Sequence, residues 1–218
     1  MIGYRRTLEI YGPQGTRSYI ASLQSIFKEF HISTRIHEGT GTLIDTPLFT
    51  LEAAPMAHGT PTNAYAIILK DRRRLDKEKL KKLKIPNSPL LGKLQAGEDI
   101  VIAGRKIAAK NVSYIEKGKK VTIVMDTAYT PAAGKLARSA DLLICESTFS
   151  AKEQDKAREY LHLTAADAAA IAKEAKVKAL ILTHISQRYE HNLSVIEKEA
   201  KKIFKNTCIV KDFDVVTI

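Results

Sequence analysis

The chain has 218 residues, 44% of them hydrophobic, and a formal net charge of +11. That length suffices for one large domain or a domain with an appendage, and no run approaches the ~18 unbroken apolar residues of a membrane-spanning helix. Two cysteines and no CxxC pair argue against a disulfide scaffold or a zinc knuckle. The start, MIGYRRTLEI, shows no apolar signal region behind its charges, so a cytoplasmic location without a membrane partner is expected.

Taken in order, residues 7–11 read as a short strand, and Gly12-Pro13-Gln14-Gly15 as a turn. Thr16 then caps a helix reaching to about residue 30. Ile20, Leu23, Ile26 and Phe27 share one face of that helix. A glycine turn at a helix N-terminus can hold phosphate, but this one lacks a full dinucleotide fingerprint, and a structural turn is the simpler reading. Residues 33–36, 48–54 and 64–69 follow as strands, with His58 in the loop between the last two. Residues 71–120 then break the β/α rhythm. They contain a charged helical piece (76–83), a Pro-punctuated loop (IPNSPLLGKLQAGEDI) and a small strand pair near 100–107. Few large apolar residues recur there at core spacing, so the segment reads as an arm outside the main core, with residues 1–70 and 121–218 forming that core. The arm holds 15 Lys and Arg against 6 Asp and Glu, while the remainder holds 20 against 18. Such a field attracts a polyanion, nucleic acid first among them, unless it is only a solvated lysine-rich surface.

Residues 121–149, VTIVMDTAYTPAAGKLARSADLLICESTF, organise the rest. Two apolar strands, 121–125 and 141–145, each end on a carboxylate, Asp126 and Glu146, and open α/β sheets bind ligands at such edges. The plainer alternative is that Asp126 caps the next helix and Glu146 pairs with a surface cation. Helices at 151–160 and 165–175 follow, the second capped by Thr164. A buried strand at 178–183 ends on His184, and a helix at 192–204 with strands near 208–210 and 213–217 closes the chain. His58, Asp126 and His184 together offer two imidazoles and a carboxylate, a set suited to zinc or manganese. Glu146 and His162 form a second pair, in which a carboxylate can orient an imidazole for proton donation.

Six segments in register resemble ribonuclease Z, the tRNA 3′-processing endoribonuclease of the metallo-β-lactamase fold. They are IYGPQGT (10–16), the HG…AY segment (58–65), Asp126-Thr127, ADLLICESTF (140–149), HLTAADAA (162–169) and LTHISQRY (182–189). The resemblance implies an α/β fold of the metallo-β-lactamase type, an αβ/βα sandwich with an inserted basic arm at 71–120 that binds the tRNA. It implies that His58, Asp126 and His184 are ligands of a two-zinc centre (manganese being an alternative), with Asp126 bridging. Glu146 and His162 become the catalytic proton relay. Thr127, Ser186 and Arg188, with Arg72, Arg73, Arg74 and Lys93 of the arm, are expected to touch precursor tRNA. The family's HxHxDH motif has no counterpart here. The expectation is therefore an N-terminally truncated sandwich needing a separate HxHxDH-bearing chain, a homodimer, or both. Met125 and Cys145 stand where the family has glycine and histidine, Leu163 where it favours serine, Ala66 where it has arginine, and Asn87-Ser88-Pro89 where the arm has Gly-Pro. Two further readings stay open: a tRNA-binding protein without catalysis, and a metal-dependent hydrolase of another phosphodiester.

Overall fold

A computed structural model describes residues 6–26 and 32–218. The chain divides into two compact units, residues 1–68 with 119–218, and residues 69–118.

In the larger unit the first elements are β1 (Leu8–Gly12), α1 (Thr16–Ile26) and β2 (Thr34–Glu38), with β1 and β2 paired in parallel. The turn into α1 is as expected. A Cβ on Gly12 would collide with Thr16 Oγ1, and Gly15 adopts φ +96°. The anion position at the start of α1 is filled from within: Glu38 Oε1 accepts the N–H groups of Gly15 and Arg17 at 3.0 and 2.7 Å. The carboxylate satisfies two of the helix's orphan donors, so the turn is structural. The expected apolar face of α1 has no buried residue, and Tyr19 and Ile26 are exposed; Phe27 lies outside the described residues.

Next come β3 (Gly41–Asp45), β4 (Phe49–Met56) and β5 (Thr62–Leu69). The smaller unit contributes β6 (Arg72–Leu75), α2 (Lys77–Lys82), α3 (Leu90–Ala96), β7 (Ile100–Ile102), β8 (Arg105–Ile107) and β9 (Ser113–Glu116). The chain re-enters the larger unit with β10 (Lys120–Val124), α4 (Pro131–Ala137), β11 (Leu142–Glu146), α5 (Gln154–Glu159), α6 (Ala165–Glu174), β12 (Ala179–Thr183), α7 (Leu193–Ile203) and β13 (Thr207–Ile209). A seven-stranded sheet runs β13-β12-β11-β10-β5-β4-β3. Strands β10 to β13 are mutually parallel, and β5 meets β10 antiparallel. The central strands are near-continuous apolar runs, as parallel strands covered on both faces require. Helix α6 packs on β11 and β12 through Ala165, Ala168, Ala169 and Ala172, small side chains that let the helix approach closely. Its start is fixed by a capping box in which Thr164 and Asp167 satisfy each other's backbone N–H. Thr130, not Asp126, caps α4.

Within the smaller unit the structure adds elements that the sequence reading lacked. This unit has a core of its own, built from Leu80, Leu94, Ile100, Ile107, Ala109 and Val112. Residues 90–96, within the expected loop, form α3, whose single buried Leu94 anchors it. Strands β6 and β9 pair antiparallel. Strand β3 is likewise absent from the sequence reading, and the strand expected at 213–217 does not form: Phe213 and Val215 stand almost wholly exposed. Among the described residues no helix is long and apolar enough to cross a membrane.

Candidate metal centre

Because β10, β11 and β12 are parallel and in register, their C-terminal ends come together, bringing Asp126, Glu146 and His184 to one edge. Asp126 and His184 leave their strands in the left-handed region, with φ +47° and +52°. Non-glycine residues rarely adopt it, and it turns both side chains back over the sheet edge at a cost of order 1 kcal/mol each. Leu161, with φ +57°, does the same just before His162.

Asp126, His162 and His184 each offer one ligand atom, all within 4.8 Å of one another. His58 stands beside this group, not within it, its ring centroid 5.1 Å from that of His162. Each imidazole has Nδ1 engaged. His58 Nδ1 faces Leu161 O at 3.1 Å, His162 Nδ1 faces Glu146 Oε1 at 3.0 Å, and His184 Nδ1 faces Thr148 Oγ1 at 2.8 Å. A carbonyl or carboxylate opposite Nδ1 selects the tautomer protonated there and leaves Nε2 as a lone pair, the usual preparation of a metal-binding histidine. Asp126 Oδ1 is buried and makes no hydrogen bond, although His184 Nε2 lies only 3.2 Å away. The contact is close but lacks hydrogen-bond geometry, so Oδ1 has no donor of its own. That arrangement suits a cation, and one carboxylate with imidazoles is a zinc-type or manganese-type donor set.

Glu146 underlies the group. It is fully buried and accepts the N–H groups of Thr127 at 2.6 Å and Leu163 at 3.1 Å, the Thr148 hydroxyl at 2.7 Å, and His162 Nδ1. A carboxylate whose oxygens face donors on every side needs no surface cation.

Of the other singled-out residues, Thr127 is fully buried, its N–H on Glu146 and its hydroxyl on Ala128 O, so it supports the carboxylate instead of facing solvent. Ser186 Oγ accepts Arg188 Nε at 3.1 Å. Arg188 also donates to Glu153 Oε1 at 2.6 Å and lies 5.2 Å above the Phe149 ring, fixing the loop after His184. Glu153 binds Lys156 and Tyr189 as well, and these donors hold its carboxyl down at about 2. In the smaller unit Arg72 and Arg74 share Glu116, and Arg73 donates to Ser113 Oγ at 2.9 Å. Lys93, exposed on α3, makes no ion pair among the described residues. Sequence reading passed over Thr148, although it stands two residues after Glu146, because the bridge it makes is set by how β11 meets β12 at their ends.

No family model matches the chain. Ribonuclease Z of Streptococcus uberis is 40% identical over 220 residues, covering 97% of this chain and 71% of that protein. The human short-form tRNase Z structure superposes with a TM-score of 0.62 at 22% identity, covering 98% of this chain and 69% of that one. A metallo-β-lactamase-fold protein of Bacillus subtilis gives 0.60 at 21% identity, covering 94% of this chain and 63% of its own. The sheet with its helices is thus a metallo-β-lactamase fold, and the identity to Streptococcus uberis ribonuclease Z along nearly the whole chain shows that it belongs to the ribonuclease Z family.

Proposed function

We propose that the chain is a cytoplasmic, metal-dependent endoribonuclease that removes the 3′ trailer from precursor tRNA, using zinc or manganese. The observation that carries this reading is the convergence of Asp126 Oδ1, buried without a hydrogen bond, and His184 Nε2, 3.2 Å apart, in a chain 40% identical to a ribonuclease Z. His58 Nε2, Asp126 and His184 would hold the metal. When bound, it supplies Lewis acidity toward the phosphodiester and lowers the pKa of a water. Glu146, anchored by four donors, holds Nδ1 of His162 and stabilises the imidazolium. His162 then delivers a proton from Nε2 to the 3′ oxygen that leaves when its bond to phosphorus breaks. Water's oxygen takes that place on phosphorus, so the tRNA ends in a 3′-hydroxyl and the trailer in a 5′-phosphate.

A cavity of about 420 Å³ beside His162, lined in part by Tyr129, Gln154 and Arg158, offers room for the strand flanking the scissile bond. The smaller unit is the tRNA-binding arm. Its carboxylates Asp71, Asp76, Asp99 and Glu116 are already engaged by backbone N–H groups or basic side chains. Lys77, Lys81, Lys82, Lys84 and Lys93 remain exposed and unpaired among the described residues, open to phosphate. One carboxylate and the nearby imidazoles leave coordination positions unfilled, so further ligands come from an HxHxDH-bearing segment or a second copy of the chain.

The test is cleavage of a precursor tRNA, alone and with an HxHxDH-bearing segment added, in zinc or manganese and then in excess chelator. A trailer released with a 5′-phosphate only when metal is present is the expected result. Cleavage that persists in chelator would overturn the reading.

A further inference from the structure

We infer that Thr148 is a positioning residue that links the Glu146 carboxylate to His184, so that one buried anion orients both the relay histidine and a metal-facing histidine. The inference rests on the reading of His184 as a metal-facing group, but its structural half stands without any metal.

Thr148 is 8% exposed, and its single hydroxyl lies within bonding distance of three groups: Glu146 Oε2 at 2.7 Å, His184 Nδ1 at 2.8 Å and His184 O at 3.0 Å. A hydroxyl has one proton to give. If that proton went to His184, the Thr148 oxygen would face a carboxylate oxygen at 2.7 Å with nothing between two sets of lone pairs. The proton therefore lies toward Glu146, the charged and nearest acceptor. The remaining contact, from His184 Nδ1 to Thr148 Oγ1, can then be a hydrogen bond only if Nδ1 carries its own proton. That fixes His184 as the Nδ1–H tautomer and leaves Nε2, 3.2 Å from Asp126 Oδ1, as a lone pair.

Glu146 thus sets one ring directly and the other through a hydroxyl. Loss of the relay would let the His184 ring, 40% exposed, rotate or change tautomer.

Two measurements test this. In the unsubstituted protein stripped of metal, long-range ¹H–¹⁵N correlation spectra should report His184 as the Nδ1–H tautomer, and a dominant Nε2–H form would overturn the inference without any substitution. Zinc affinity by chelator competition should then fall about 10- to 100-fold in Thr148→Val, which keeps the shape and removes the hydroxyl, and stay within about threefold in Thr148→Ser. Equal affinity in Thr148→Val and parent would overturn the inference while leaving the metal site standing. A parent that binds no zinc even with an HxHxDH-bearing segment added would instead sink the metal reading, with the tautomer spectrum still deciding the role of Thr148.

Discussion

Glutamine at position 146 keeps the volume of the side chain but exchanges one acceptor oxygen, and the charge, for an NH₂ donor. The carboxylate takes Thr127 N–H and His162 Nδ1 at Oε1, and the Thr148 hydroxyl and Leu163 N–H at Oε2, with no exposure to solvent. An amide has one acceptor oxygen, so in either orientation its NH₂ faces two donors. Turned toward Oε1, it opposes the fixed Thr127 N–H. Turned toward Oε2, it opposes the fixed Leu163 N–H and a hydroxyl that can rotate, which makes this the cheaper choice. One backbone N–H is left buried and unpaired in both cases, and a charge-assisted bond disappears with it. Each such loss costs roughly 1.5–3 kcal/mol, offset in part because no charge is buried any longer. Glu146→Gln should therefore destabilise the metal-free protein by about 2–4 kcal/mol, a fall in Tm of about 4–16 °C for a chain of this size. Urea and thermal unfolding in chelator would measure it. A loss below about 0.5 kcal/mol, the ordinary range for a surface change, would refute the claim that this carboxylate is held by fixed donors.

Three further outcomes follow from other parts of the molecule. Glu153, with its carboxyl held near 2 by Lys156, Tyr189 and Arg188 against an ordinary 4.5, stabilises the fold above pH 4.5 and loses that effect as pH falls toward 2. Glu153→Gln should cost about 1 kcal/mol at pH 7, solvent screening included, and nothing near pH 2; melts with a pH-independent gap would contradict this. Cys145 is buried and its thiol is pushed up by burial, whereas Cys208 is exposed, so a thiol reagent at pH 8 should modify one site quickly and the second only after unfolding. In the smaller unit, replacing Lys81, Lys82 and Lys84 by alanine should weaken tRNA binding and lower the log-log salt slope by about 0.7–0.9 for every phosphate that a lysine no longer neutralises; unchanged affinity and slope would remove these lysines from the interface.

The larger unit was legible because its strands are apolar runs broken by sharp signals. Residues 121–125 and 178–183 read as buried strands and form β10 and β12 to within a residue at either end, so the polar residues beyond them, Asp126 and His184, emerge at an edge. The smaller unit was harder, since its core is six residues drawn one or two at a time from several short elements, with no periodic stripe in any of them. In α3 only Leu94 is fully buried, and a single leucine beside Asn87-Ser88-Pro89 reads as loop. Strand β3, Gly-Thr-Leu-Ile-Asp, is short and half-exposed, so its pairing with β4 comes from tertiary context. Phe213 and Val215 show the opposite failure: their alternation suits a strand, but β propensity has no effect where no neighbour is available to pair. At the site, residue types announced the metal chemistry. What sequence could not carry was direction, namely which nitrogen of each ring faces inward and which hydroxyl joins Glu146 to a histidine 36 residues beyond that hydroxyl.

Asp126 carries the most direct consequence of these orientations. Its Oδ1 is buried without a hydrogen bond and faces His184 Nε2 at 3.2 Å, an arrangement costly without a cation and useful with one. Asparagine is among the few residues that tolerate the left-handed φ of +47° found here, so Asp126→Asn leaves the backbone undisturbed. Its amide can turn an N–H into the gap and donate to the Nε2 lone pair. The exchange replaces two opposed acceptors by one hydrogen bond, worth about 0.5–1.5 kcal/mol. Asp126→Asn should therefore be more stable than the parent in chelator at pH 8, and should bind zinc more weakly. Stability and function pull apart at a site shaped to receive positive charge, as they do wherever strain is retained for chemistry. Thermal melts of both proteins, in chelator and in excess zinc, should cross: asparagine ahead without metal, aspartate ahead with it. If asparagine is the less stable in chelator, the convergence of acceptors is not the source of the cost, and His184 carries its proton on Nε2 after all.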